Sequence, residues 1–233
     1  MPETAATFLG LSAPLWQALW LTVKLSTLTA FILGVVGLPL AHWLNTTRWR
    51  GAFVAETLVT LPLVLPPTVI GFYLLVALSP NHPPGSWWLR LTGGTLVFSF
   101  TGLLIASVIY SLPFAVQPFQ AALRGVSREL LDAARASGAS PVRTFLRVHI
   151  PLARHGLLAG LTLGFAHTLG EFGVVLMIGG GLPGQTKVAS IALYDEVQAL
   201  NYDQAHAYAA LLLVVSFVLL LAVTLLQRRR TQG

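Results

Sequence analysis

Long uncharged stretches separated by short clusters of charge set the pattern of this chain. Between Lys24 and Arg48 lie 23 positions without Asp, Glu, Lys or Arg; Glu56 to Arg90 spans 33 and Arg90 to Arg124 another 33. From Arg154 to Lys187 there are 32 positions broken only by Glu171, and from Asp203 to Arg228 there are 24. A hydrocarbon layer of ~30 Å takes about 20 apolar helical residues to cross, so each run supplies one helix and none comfortably supplies two. The pattern predicts five spanning helices, near 15–44, 53–79, 94–118, 154–180 and 204–227. The first is long enough to tilt or protrude.

Composition narrows the class. The chain is 55% hydrophobic and only 9% charged, with a mean hydropathy of +0.74, where soluble domains carry about 25% charge. A disordered chain, a coiled coil and an ordinary soluble enzyme are excluded. With no cysteine there is no disulfide framework, thiolate zinc site or thiol catalysis. The excess of 14 Lys and Arg over 8 Asp and Glu is a topology signal in such a chain, and nucleic acid is not an expected partner. Arg48 and Arg50 lie in the first loop, and the second has only Arg90. The third, about 119–153, holds Arg124, Arg128, Arg135, Arg143 and Arg147, and the C-terminus ends near Arg228-Arg229-Arg230. Loops one and three and the C-terminus are therefore expected in the cytoplasm, with the N-terminus outside. Met1-Pro2-Glu3-Thr4 carries no basic n-region, so no cleaved signal peptide is expected. No internal repeat or second domain is visible, which predicts a single transmembrane domain over 1–233.

Proline and glycine mark two spans. The run Leu61-Pro62-Leu63-Val64-Leu65-Pro66-Pro67 removes amide donors and disfavours helix before each proline. It reads either as a pore-lining break or as a kinked or re-entrant packing helix. Gly156, Gly160 and Gly164 form a small-residue ridge in the fourth span, suited to close helix packing.

The third loop is the most informative stretch. From Ser127 to Ser137 it holds good helix formers with apolar residues at 126, 130, 133 and 134 on one stripe. Ser127 is placed to N-cap, Glu129 sits near the positive helix end, and Gly138 suits a C-terminal stop. Ser140-Pro141 then opens a second helix. The small side chains Ala133 and Ala134 leave room for a partner; a basic amphipathic helix resting on anionic lipid fits the same pattern.

Asp132-Ala133-Ala134-x-x-x-Gly138, followed after nine residues by Val148-His149-Ile150-Pro151, resembles the cytoplasmic EAA loop of bacterial ABC importer permeases. Their pattern is EAA-x3-G-x9-I-x-LP; this chain has Asp for Glu, Val for Ile and Ile for Leu. The Leu-Pro-Leu-Val-Leu-Pro-Pro run, Thr168-Leu169-Gly170-Glu171-Phe172-Gly173, and Leu182-Pro183-Gly184-Gln185-Thr186 followed by Tyr194 look like molybdate permease subunits. Sulfate and tungstate relatives share parts of this pattern. The resemblance covers about 15–227.

The resemblance implies an all-α integral membrane protein of the type I ABC importer permease core, with five transmembrane helices. It implies a homodimer in the bacterial plasma (inner) membrane, a cytoplasmic ABC ATPase dimer, and a periplasmic or extracellular molybdate-binding protein. Glu129, Asp132, Ala133, Ala134, Arg135 and Gly138 would form the loop that couples to the ATPase. ATP and Mg would act in that partner, since this chain has no GxxxxGK[ST] motif. The subunit itself is expected to be no enzyme, with no catalytic residue and no bound cofactor.

Glu171 is the one carboxylate deep in a predicted span, and an intramembrane ionisable residue is a functional candidate by default. His167 at i−4 and Thr168 at i−3 would share its helical face. A molybdate dianion would be repelled by an ionised Glu171, so a bend or gate is expected rather than a direct ligand. Gly170 and Gly173 would give close backbone approach, His167 or freed amides would satisfy the carboxylate, and Phe172, Pro66 and Pro67 would complete the path. Lys24 is expected to snorkel outward. The histidines show no metal-ligand spacing, so no metal site is expected. A channel or carrier working without an ATPase would predict inverted repeats with paired broken helices, and none is visible.

Overall fold

A computed structural model describes residues 13–228, apart from the side chains of residues 222, 223 and 225–228. The N-terminal residues and the arginines at 229 and 230, on which part of the expected topology rests, lie outside the described residues. Every regular element among the described residues is helical.

Helix α1 runs over Ala13–Thr46 as one piece containing a π turn at Leu33–Gly37. The turn lies just before Pro39, whose missing amide frees a carbonyl one turn back and favours the wider ring. Helix α2 (Ala52–Thr60) ends in a tight turn at Leu61–Leu63, and α3 (Pro67–Leu78) leaves at 114° to it. A short α4 (Gly85–Thr92) precedes the long α5 (Phe100–Arg124). Next come α6 (Arg128–Ala136) and α7 (Pro141–Leu169), the latter with its own π turn at Phe145–His149 just ahead of Pro151. Helix α8 (Gly173–Gly179) departs from α7 at 61°, and α9 (Ala189–Gln198) and α10 (Tyr202–Arg228) close the chain.

Among the described residues three helices are long and apolar enough to span alone: α1, α5 and the part of α10 over Tyr202–Leu221. Counting each bent pair, α2–α3 and α7–α8, as one span gives the five expected. The second and fourth spans are thus broken, not straight. The fourth also begins earlier than the charge pattern suggests, because the loop helix opened by Pro141 continues through its π turn into the span. The third starts later, at Phe100, where the Ser99 hydroxyl accepts the Gly102 amide and caps the helix. Helices α4 and α9 lie in stretches expected to be loops.

Helix α5 is the central post. Its Val116 and Phe119 pack with Leu33 of α1 and Leu157 of α7, its Ala106 with Ile70 of α3 and Val174 of α8, and its Leu103 with Leu25 and Val175. Lipid tails are as apolar as leucine, so these helices associate by close van der Waals fit. The Gly156–Gly160–Gly164 ridge supplies that fit. A Cβ at Gly156 would overlap the Ala122 Cβ, one at Gly160 would stand 2.7 Å from the Phe119 ring, and one at Gly164 2.8 Å from Leu33.

Candidate functional site

The two broken spans meet at their breaks. Pro66 turns the chain with extended backbone (φ −55°, ψ 138°), and Pro67 opens α3, where a missing amide costs nothing. Gly173, the first residue of α8, lies so close that a Cβ there would stand 2.7 Å from the Pro67 Cβ. One turn further on, a Cβ at Gly71 would stand 2.9 Å from Met177. Helices α3 and α8 are therefore locked face to face at glycine-thin contacts. The structure brings Pro67 and Gly173 together, and the ring of Phe172 packs at 5.0 Å on Tyr194 of α9.

Glu171 sits within the α7–α8 break and is 4% exposed. The Ser190 hydroxyl donates to its backbone carbonyl at 2.6 Å, tying the break to α9. Its carboxylate faces the Ser107 hydroxyl of α5, but neither carboxylate oxygen nor that hydroxyl reaches hydrogen-bond geometry. Both carboxylate oxygens are buried, and among the described residues no side chain or amide stands in hydrogen-bond geometry to them.

Two expectations fail here. His167 does not serve the carboxylate: its Nδ1 is 2.9 Å from the Ser111 hydroxyl and its ring stacks on Phe114 at 3.7 Å. The bend after Leu169 takes Glu171 off the helical face that an unbroken α7 would have shared with His167. Gly170 makes no close approach either. It is exposed, its φ is −93°, and the nearest atom to a Cβ there is the Ala166 carbonyl at 3.9 Å.

Buried uncharged hydroxyls on α1 and α5 are what the charge pattern misses. Thr22, Ser26 and Thr29 repeat at i, i+4 and i+7 on α1, Ser107 and Ser111 at i and i+4 on α5, and all five are buried. Ser111 also meets the Thr168 hydroxyl at 2.9 Å, and Thr22 accepts the Ala189 amide at 2.8 Å. Their helical spacing was the available signal. Lys24 lies exposed on α1 with its ammonium 4.5 Å from the centre of the Phe100 ring.

The loop site stands at one end of the bundle. Helix α6 forms where expected, although the Ser127 hydroxyl makes no capping bond. Gly138 ends it with φ +82°, a left-handed conformation that favours glycine, and the Ser140 hydroxyl accepts the Arg143 amide to start α7. The helix shows two sides. Arg128, Leu131, Asp132 and Arg135 line a cleft of 860 Å³ against the ends of α1 and α5. Glu129, Leu130 and Ala133 are exposed and do not line it, Leu130 being 51% exposed. Ala134 is half-buried and Gly138 open. The six expected loop residues thus divide between an outward surface and a cleft. Asp132 and Arg135 pair with each other at 3.2 Å. Among the described residues no group of three His, Asp or Glu side chains is placed to hold a metal ion.

A helical bundle with two spans broken against each other and a surface helix at one end defines a polytopic membrane transport scaffold. Residues 34–232 match the family described as "Binding-protein-dependent transport system inner membrane component", and the chain belongs to that family. It is a multi-pass permease subunit, a transporter rather than an enzyme. It is 48% identical over 206 residues to the molybdenum transport system permease protein ModB of Azotobacter vinelandii, covering 88% of this chain and 91% of the relative. The ModB of Escherichia coli K12 is 34% identical, with 90% of each chain covered. The sulfate transport system permease protein CysT of the same organism is 32% identical, covering 88% of this chain and 76% of that one. Among solved structures, an inward-facing MetNI methionine ABC transporter chain superposes with a TM-score of 0.73 at 19% identity, covering 94% of this chain and 99% of that one. A bacterial ABC transporter for the acidic polysaccharide alginate gives 0.78 at 20%, covering 96% and 82%. These last two show the fold, that of a type I ABC importer permease.

Proposed function

We propose that this chain is the molybdate-translocating permease of an ATP-driven importer in a bacterial plasma membrane. It works as a pair of identical subunits with an external binding protein and two cytoplasmic ATPase subunits. The observation that carries the reading is the surface helix α6: it stands free at one end of the bundle, outward face uncovered, in a chain 48% identical to a molybdenum permease. In this reading α6 docks on the ATPase, and ATP and Mg²⁺ act there, with no cofactor in this subunit. The end bearing α6 and the first basic loop faces the cytoplasm, as the distribution of arginine favours.

The α2–α3 and α7–α8 breaks form the gate. Their glycine-thin contact moves as a unit, and the unused acceptors of Glu171 find donors when the gate changes state. Glu171 shapes the gate and does not bind the dianion.

Molybdate and sulfate share a tetrahedral dianionic form, so cargo is decided by measurement. The complex, reconstituted in vesicles with its cognate binding protein, is expected to accumulate molybdate in an ATP-dependent way and to be competed poorly by sulfate. Accumulation of sulfate in preference would move the assignment to the sulfate permeases. Accumulation without ATPase subunits would sink the importer reading.

A further inference from the structure

The 860 Å³ cleft behind α6 carries three arginines, Arg48, Arg124 and Arg128, that the transport reading does not use. Its wall brings together Arg48 of the first loop, Arg124 at the end of α5, and Arg128 and Arg135 of α6. Two carboxylates answer these four guanidinium groups. Glu56 lies 3.7 Å from Arg124, whose Nε also donates to the Asn45 side chain at 2.7 Å, and Asp132 pairs with Arg135. Among the described residues Arg48 and Arg128 have no carboxylate partner, and both border the same cavity. Guanidinium groups converging from three separate elements favour an oxyanion with several oxygens, phosphate above all.

Size and position decide the source. The cleft is broad and open to one side, so a lone tetrahedral oxyanion would leave most of it to water. Trp43 and Trp49 flank the Asn45–Arg48 edge; they lie 6.3 Å apart and are exposed, Trp49 at 62%. Exposed tryptophans at a helix end mark the level of lipid headgroups. A basic pocket between helices at that level has the chemistry to hold an anionic headgroup.

We propose that this cleft binds the phosphate headgroup of an anionic phospholipid, held between Arg48 and Arg128. The lipid bridges the end of α1 to α6, so it braces the surface helix against the bundle. This site is separate from the gate and from the outward face of α6. Its test reads binding on the permease alone, so a failed test leaves the transport reading untouched.

The full-length chain is placed in nanodiscs of phosphatidylcholine mixed with phosphatidylglycerol, extracted, and analysed for retained lipid by native mass spectrometry. Wild type is expected to retain phosphatidylglycerol preferentially. The R48Q/R128Q variant is expected to lose roughly tenfold or more of that preference, because it removes two charge-assisted hydrogen-bond donors to the phosphate. R50Q/R143Q removes the same charge outside the cleft lining and is expected to keep the preference. R48K/R128K retains charge and is expected to recover part of it, which separates headgroup binding from a folding defect. Equal loss in the two Gln variants would reduce the effect to bulk surface charge and overturn the proposal. So would displacement of the lipid by millimolar molybdate, phosphate or sulfate, each added alone, which would make this a free-oxyanion site. Unchanged lipid preference in R48Q/R128Q with loss of ATPase capture would assign the cleft to the partner protein and overturn it too.

Discussion

At Glu171 the chain buries two acceptor oxygens beside a Ser107 hydroxyl that is equally unbonded. A group in that position is costly in one static conformation and useful in a protein that exchanges between two. If geometry rather than charge is what the gate needs, E171Q keeps the shape of the side chain and adds a donor that the Ser107 oxygen can accept. Uptake in E171Q is then expected to stay well above that of E171A and E171K. The lysine variant adds the cost of a cation at membrane depth, about 2.5–3.5 kcal/mol on insertion scales. Equal and negligible effects of all three on ATP-dependent uptake would remove Glu171 from the mechanism. The two glycines beside it make a sharper pair. G173A drives a Cβ into Pro67 at 2.7 Å, an overpacking change that costs roughly 1–3 kcal/mol. G170A meets nothing closer than 3.9 Å at a negative φ, and its thermal midpoint in detergent is expected within the error of wild type. Matching losses in both variants would show that the glycines act through backbone freedom and not through the α3–α8 contact.

At the scale of elements, α6 is where the transport reading is most exposed to test. G138L places a side chain at φ +82°, a conformation that costs L-residues roughly 1–2 kcal/mol. A134L adds bulk at a half-buried position, and D132K reverses a charge on the cleft side and breaks the pair with Arg135. None of the three lies in a spanning helix, so membrane insertion is expected to be unchanged. ATPase stimulation by loaded binding protein, and uptake with it, are expected to fall. Normal stimulation in all three would make α6 a lipid-surface helix only. This element was legible in the sequence because its signals are local: a helical stripe, a stop glycine and a proline restart fall in order between residues 126 and 141. The number of spans was legible for a similar reason, since hydrocarbon thickness fixes the length of an uncharged run. Both breaks were announced in part: Pro66-Pro67 marked one, and Gly170 and Gly173 marked a bend around Glu171, but the direction of that bend depends on packing against other helices. That bend carried Glu171 away from His167, so the expected pair dissolved. The hydroxyl stripes on α1 and α5 stayed hidden because serine and threonine leave hydropathy almost level.

For the whole molecule, the structure places the Asn45–Arg48 edge, the α6 loop and His149 around one cleft, so these segments share one end of the bundle. The Glu56–Arg124 pair fastens that end, as do the Asn45 amide donating to the Gln120 carbonyl and Arg124 donating to the Asn45 side-chain oxygen, and His149 is tied to the Leu123 carbonyl at 2.9 Å. Which side of the membrane this end faces follows from charge, because arginine-rich short loops stay on the cytoplasmic side. The absence of cysteine from the natural sequence makes the question direct, since each introduced thiol is the only one in the chain. Single replacements at Asn81 and Gln185 are expected to react with a membrane-impermeant maleimide in intact cells. Replacements at Arg50 and Ser137 are expected to react only after permeabilisation. All four sit in segments between spans and are at least partly exposed, so poor labelling from burial is controlled by the permeabilised sample. The reverse pattern would turn α6 outward, away from any ATPase, and would overturn the coupling role while leaving the fold intact. Labelling of Arg50 and Ser137 from opposite sides would contradict the shared cleft itself, and with it the pairing of broken spans on which the five-span count depends.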